Sequence, residues 1–218
     1  SDATSSTVNL SWTPGSVEQD HWDIYYSTSS TAPTSTTVLD ETNSRINIDQ
    51  NPYILTGLES NTTYYVWVRG NCGSGDVSEW SDVEDFQTEC NAYPIPYEYG
   101  FEEEEASDMD CWTMTNCNTS TGRTATDKRT GSYGFGFNRN SLYDPQYLIT
   151  PELSGTSAGV HIEFYYKHSA NTCNFQVGHS TTTKDVASAF TWSEEVSNPS
   201  SSYVYFEYDF PENTKYIC

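Results

Sequence analysis

The side chains able to do chemistry in this sequence are numerous but scattered. Four histidines, His21, His161, His168 and His179, are the only groups whose ordinary titration falls near neutral pH. Nucleophilic catalysis needs a nucleophile, a base and an orienting group held together. None of the four stands beside a Gly-x-Ser-x-Gly or a cysteine-protease signature, so they read as surface or sheet-face histidines. Among 31 acidic residues no pair stands out at strand ends as the two carboxylates of glycoside hydrolysis. The six cysteines are spaced 18, 21, 6, 56 and 45 residues apart with no Cys-x-x-Cys, which argues against a structural zinc site. In a Ser/Thr/Tyr-rich acidic chain they point instead to disulfides and an oxidising compartment, and 15 full pairings stay open. The expectation is a protein that is not an enzyme.

Binding chemistry is better represented. The loop from Asn118 to Gly131 holds Arg123, Lys128 and Arg129, three of only nine basic residues, and reads as a solvated excursion or a ligand-contacting loop. Tyr133, Phe135, Phe137, Tyr143 and Tyr147 follow it closely. Most of these should be core, because Tyr133, Phe135 and Phe137 alternate on one side of a strand. Tyr165 and Tyr205 belong to outward-facing sets and are better candidates for an exposed aromatic platform, on which a sugar ring could stack.

These groups must be positioned by strands. Of 218 residues 15% are aromatic, too many for a disordered chain. Period-two alternation recurs and a sustained 3.6-residue period does not. Val8, Leu10 and Trp12 alternate before Pro14-Gly15; Trp22, Ile24 and Tyr26 follow, then Ile46 and Ile48, then Tyr64, Val66 and Val68. A second series includes Tyr147–Ile149, Phe175–His179, Tyr203–Tyr208 and Val160–Tyr166, where His161, Glu163, Tyr165 and Lys167 take the polar face. The run Glu102–Glu105 reads as a solvated loop, since adjacent like charges cannot be buried together. The fold class is all-β, built as sandwiches.

The net charge of −22 is spread evenly, −12 up to Cys90 and −10 beyond it. Such a surface repels phosphate backbones and anionic headgroups, so nucleic acid and lipid surfaces are poor partners. No apolar run approaches the roughly 20 residues that span a bilayer, so no membrane insertion is expected within these residues.

Val8-x-Leu10-x-Trp12, Trp22-x-Ile24-x-Tyr26, Tyr53-x-Leu55-Thr-Gly-Leu58, Thr62-x-Tyr64-x-Val66-x-Val68 and Ser78-x-Trp80-Ser81 together resemble a fibronectin type III domain, over residues 1–89. The resemblance implies that Trp12 fills the space between two sheets and that the Tyr64 hydroxyl bonds back to the backbone near Leu58. It also puts Cys72 and Cys90 at opposite ends of a hairpin, roughly 16 Å or more apart at about 3.3 Å per residue, beyond the ~7 Å that a disulfide spans. The expectation adopted for Cys90 is a bond to Cys111, which would staple the following segment to the second half of the chain. Residues 90–96, with Pro94 and Pro96, read as an extended linker.

Roughly residues 93–218, with the domain itself at 97–218, resemble the cleaved-adhesin, or choice-of-anchor, jelly-roll family of Bacteroidetes secreted and surface proteins. The residues that carry this are Ile95-Pro96-Tyr97 with Gly100-Phe101-Glu102, Cys111-Trp112-Thr113, Leu148–Leu153, Val177–Thr182 with Phe190-Thr191-Trp192, and Thr214–Ile217. The family's final strands are absent, so a piece of a longer polypeptide is expected. The resemblance implies a structural calcium held by Glu102, with Asn116, Asp127 and Asp144 as co-ligands, since hard oxygen donors suit that ion. It implies a secreted or cell-surface module for adhesion or recognition of an extracellular glycan or host protein. The competing expectation is an accessory region of a secreted peptidase or carbohydrate-active enzyme whose catalytic domain lies elsewhere.

Overall fold

The structure is a computed structural model that describes residues 3–103, 109–138, 142, 144–168, 173–198 and 201–218. Glu104, Glu105 and Tyr143 lie outside the described residues. The chain divides into two compact units, Ser1–Asn91 and Ala92–Cys218. The protein is all-β, and no helix among the described residues is long and apolar enough to cross a membrane.

The first unit stacks a two-stranded sheet on a four-stranded one. Strands β1 (Thr7–Leu10) and β4 (Tyr53–Thr56) pair antiparallel, with Val8 opposite Leu55. The larger sheet has the order β3 (Ser44–Ile48), β2 (Trp22–Ser27), β5 (Thr63–Gly70) and β6 (Glu84–Gln87). Alternate side chains meet between the sheets: Val8, Ile24, Tyr26, Leu55, Leu58, Tyr64, Val66 and Phe86 form one buried cluster. Each large apolar side chain removed from water in this way contributes about 1.5–3 kcal/mol.

Trp12 does not occupy the centre of that cluster. It is half-buried at the margin, edge-on to Trp22 at 5.5 Å between ring centroids, and its indole N–H is buried without a partner among the described residues. The residue lies two positions past the end of β1, so it is no longer held in register with the facing sheet. The Tyr64 hydroxyl does bond back to the backbone, accepting the Glu59 amide at 3.0 Å.

The outward side of the four-stranded sheet carries a buried ion pair. Asp23 is fully buried, and Arg69 donates to its Oδ2 from Nε and Nη2, both at 2.8 Å. Asn71 Nδ2 and the Asn47 amide complete the set on Oδ1 at 2.8 and 3.0 Å. Four donors on one carboxylate are what make its burial affordable. Arg69 in turn stacks over Trp80 at 4.4 Å.

In the second unit β7 (Tyr93–Pro94) runs parallel to β12 (Leu153–Ser154), with the Tyr93 amide donating to the Glu152 carbonyl at 2.7 Å. Residues 93–94 are thus a strand and not linker. The extended backbone that proline enforces suits a short strand pair as well as a spacer. Strands β8 (Thr113–Thr115) and β11 (Tyr147–Ile149) pair antiparallel, as do β9 (Gly122–Thr124) and β10 (Gly134–Gly136). Part of the expected Asn118–Gly131 loop is therefore strand β9.

The longest pair is β13 (Val160–Tyr166) with β18 (Val204–Phe210). Strands β14 (Cys173–Phe175) and β17 (Val196–Asn198) pair beside a three-stranded sheet ordered β16 (Thr191–Trp192), β15 (Gly178–Ser180), β19 (Tyr216–Ile217). Leu153, Val160, Val177, Phe210 and Ile217 form the buried cluster, with Tyr93, Ile95, Ile162, Phe175 and Phe206 packed around it.

Candidate functional site

The β13–β18 ladder sorts its residues by parity. Val160, Ile162 and Phe164 face Phe210, Tyr208 and Phe206 on one side. On the other side three cross-strand pairs succeed one another: His161 with Asp209, Glu163 with Glu207, and Tyr165 with Tyr205. Directly opposed residues of an antiparallel pair have Cβ atoms within about 5.5 Å, so each pair interacts.

The histidine–aspartate pair is closed by a 2.7 Å contact between His161 Nδ1 and Asp209 Oδ1. That contact holds the imidazole above its ordinary pKa, and the neighbouring Glu207 and Glu163 carboxylates push the same way. The two glutamates, like charges placed opposite each other, are joined through Tyr205, whose hydroxyl lies 2.6 Å from Glu163 Oε2 and 3.1 Å from Glu207 Oε2. Hydrogen bonding to Glu163 is the largest of the causes that hold this phenol protonated well above the usual tyrosine range. Tyr165 and Tyr205 are 44% and 43% exposed, with ring centroids 5.2 Å apart, and form an open aromatic pair at one end of the ladder.

The hairpin of β9 and β10 reaches this pair with its tip. Arg129 places its guanidinium carbon 3.5 Å from the Tyr165 ring centroid, a close cation–π stack. Next to it Asp127 Oδ1 receives Lys167 Nζ at 2.9 Å, which raises the lysine pKa, and Lys167 also lies 5.0 Å from the Tyr203 ring centroid. Loop and ladder are thus fastened by two cations of opposite origin, Arg129 from the loop and Lys167 from the strand end.

Of the five sequence-predicted binding residues, the structure brings Arg129, Tyr165 and Tyr205 together. Arg123 and Lys128 serve the hairpin itself. Arg123 stacks over Tyr133 at 4.1 Å and donates to the Glu102 carbonyl and the Glu103 carboxylate, while Lys128 Nζ donates to the Ser132 carbonyl at 3.2 Å. Reasoning from sequence put Glu163 on the outward face with Tyr165 but named neither it nor Glu207 as a binding residue. Their signal was the same outward parity that singled out Tyr165, but the partner strand's register was needed to set them opposite one another. Phe137, expected as core, is 54% exposed beyond the end of β10, whereas Phe135 packs against Phe101.

The four proposed calcium ligands do not form one set. The Glu102 carboxylate accepts the Ser132 and Tyr133 amides, and Asn116 Nδ2 donates to the Pro145 carbonyl at 2.7 Å. Asp127 is paired with Lys167, and Asp144 is exposed. Among the described residues no group of three or more His, Cys, Asp or Glu side chains converges to hold a metal ion.

Cys90 and Cys111 are disulfide-bonded, while Cys72, Cys117 and Cys218 are free thiols. Cys72 is not joined to Cys90, as the length of the hairpin requires. Burial pushes the Cys218 thiol up to about 12 and raises that of Cys117, so neither is a ready nucleophile. The described hydrogen bonds of His21 and His161 run to Asp20 and Asp209, each without a nucleophile attached. Burial lowers the pKa of His179, which lies against Phe210.

Residues 1–87 match the fibronectin type III domain family. Among solved structures, the tandem CBM22-1-CBM22-2 domain of Xyn10C from Paenibacillus barcinonensis is similar at 9% identity, over 97% of this chain and 73% of that one, with a TM-score of 0.40. No curated protein matches the chain.

Proposed function

We propose that this chain is a non-catalytic recognition module of a secreted or cell-surface protein, that its ligand is an extracellular glycan, and that the ligand rests on the Tyr165–Tyr205 face of the second unit. The observation that carries this reading is the exposed cross-strand tyrosine pair, with Arg129 lying over the Tyr165 ring and with Glu163 and Glu207 in reach of the Tyr205 hydroxyl. Aromatic faces stack on the apolar C–H face of a sugar ring, and flanking charged groups take its hydroxyls in short, charge-assisted hydrogen bonds. A flat ladder of this kind offers no enclosed place for a reacting atom, which fits binding better than turnover. The first unit, with a fibronectin-like sandwich and its polar network tied up around Asp23, serves as a spacer.

A glycan array probed with the purified chain tests the reading. The expected result is retention on a subset of oligosaccharides that is lost in Tyr165→Ala and in Tyr205→Ala, with the melting temperature of both variants close to that of the parent. Retention unaffected by either substitution would move the ligand elsewhere. Absence of binding to any glycan would overturn the proposal.

A further inference from the structure

The charge on the tyrosine face narrows the ligand class, on the premise that the face binds a glycan. Glu163 and Glu207 stand directly opposite each other, an arrangement that costs stability unless something neutral or positive lies between them. What lies between them is the Tyr205 hydroxyl, within reach of both carboxylates but carrying one proton. It can donate fully to one glutamate at a time. The other keeps its charge without that donor, beside two exposed aromatic rings. Asp209 adds a third carboxylate on the same face, offset by His161 only while the imidazole is protonated. The rings favour cations over their faces. That this surface draws a cation is already visible within the chain, since Arg129 leaves its loop to lie 3.5 Å from the Tyr165 ring centroid.

We propose that the Tyr165–Tyr205 face is selective for glycans bearing a free, protonated amine, which enters between Glu163 and Glu207 beside the Tyr205 ring while an adjacent sugar ring rests on the tyrosines. The ammonium brings three donors to a site whose two carboxylates have none and whose phenol has one. A neutral N-acetylated sugar can reach the same atoms only with a single amide N–H. A uronate-bearing chain meets like charge and is disfavoured.

Titration calorimetry at pH about 6, where an aliphatic amine carries its proton, tests this with three probes: a glucosamine hexamer, its fully N-acetylated counterpart and a hyaluronan hexamer. The glucosamine hexamer is expected to bind about five- to tenfold more tightly than the acetylated one, with the advantage shrinking as salt is raised. The double variant Glu163→Gln/Glu207→Gln is expected to bring the ratio close to one, chiefly by weakening the glucosamine hexamer more than the acetylated one. Equal binding of the two hexamers, unchanged in the double variant but lost in Tyr165→Ala, would overturn the amine selectivity and leave the glycan face standing. Binding of none of the three, with an empty glycan array, would remove both. A lysine-rich peptide that binds as tightly as the glucosamine hexamer would overturn the saccharide assignment, giving the slot to a cationic side chain of a protein.

Discussion

Arg129 lies over the ring of Tyr165 with its guanidinium carbon 3.5 Å from the ring centroid, so a residue from a hairpin loop completes a surface built by a pair of strands. The contact is on an exposed face, where a cation–π stack contributes about 0.5–1 kcal/mol. Arg129→Ala is therefore expected to lower the unfolding free energy by no more than about 1 kcal/mol. Its effect on glycan affinity should be larger, a loss of up to about tenfold, or about 1.4 kcal/mol, if the guanidinium also donates to ligand hydroxyls. Calorimetric titration beside a urea melt separates the two. A variant that binds as tightly as the parent would confine Arg129 to loop packing.

Tyr64 is buried, and its hydroxyl oxygen accepts the Glu59 amide at 3.0 Å. Tyr64→Phe keeps the ring in its stack on Phe86 but leaves that amide without its acceptor. The expected cost is about 1–3 kcal/mol, the penalty for an unsatisfied donor in a partly buried site. The urea midpoint of the first unit should fall with the slope unchanged, because the surface exposed on unfolding is the same. A midpoint within error of the parent would mean that water replaces the phenol freely.

Asp23 is fully buried and holds Arg69, Asn71 and the Asn47 amide at once. Asp23→Asn keeps the shape and one carbonyl acceptor but strands the Arg69 charge. Breaking a buried pair from one side typically costs about 3–5 kcal/mol. The outcome here should sit at the lower end, because the Arg69 side chain is 20% exposed and can turn toward water. Asp23→Asn combined with Arg69→Met is expected to recover part of the loss, since no lone charge is then left behind. Additive losses in the double variant would show that the two residues do not act as a pair.

Much of the first unit was legible because its signals are local. Val8, Ile24, Tyr26, Tyr64 and Val66 recur at period two, and parity alone put them in the core. Trp12 packs against the margin of that core and not at its centre, because hydrophobicity says nothing about where a strand stops, and β1 ends before it. Asp23 could not have been read as buried, since its environment comes from Arg69 and Asn71, 46 and 48 residues away. In the second unit the outward parity of Tyr165 was readable, but its meeting with Tyr205 depends on a register 40 residues distant. The Arg129 contact depends on the β9–β10 hairpin, which a Ser/Thr-rich stretch disguises as loop. Glu102 was read by resemblance as a metal ligand. In the fold its carboxylate is taken up by the amides of Ser132 and Tyr133, a use that no local pattern announces.

His161 gives the Tyr165–Tyr205 face a pH dependence whose direction is fixed by geometry. Its Nδ1 lies 2.7 Å from Asp209 Oδ1, and this hydrogen bond raises the imidazole pKa above its ordinary 6.5, with Asp209, Glu207 and Glu163 adding charge in the same sense. Folding therefore favours the protonated ring. The stabilisation is complete below the unfolded value near 6.5 and disappears as pH rises through the higher folded value. Both partners are exposed, so the effect on global stability is small and salt-sensitive, and the informative readout is the titration itself. A proton NMR titration of the His161 ring should show a midpoint above 6.5 that falls in Asp209→Asn. As the imidazolium loses its proton, Asp209 is left unneutralised beside Glu207, and the face becomes more negative. The protein's own attraction for a cation on this face therefore strengthens as pH rises through the His161 midpoint. A His161 midpoint at or below 6.5 would break this chain at its first link.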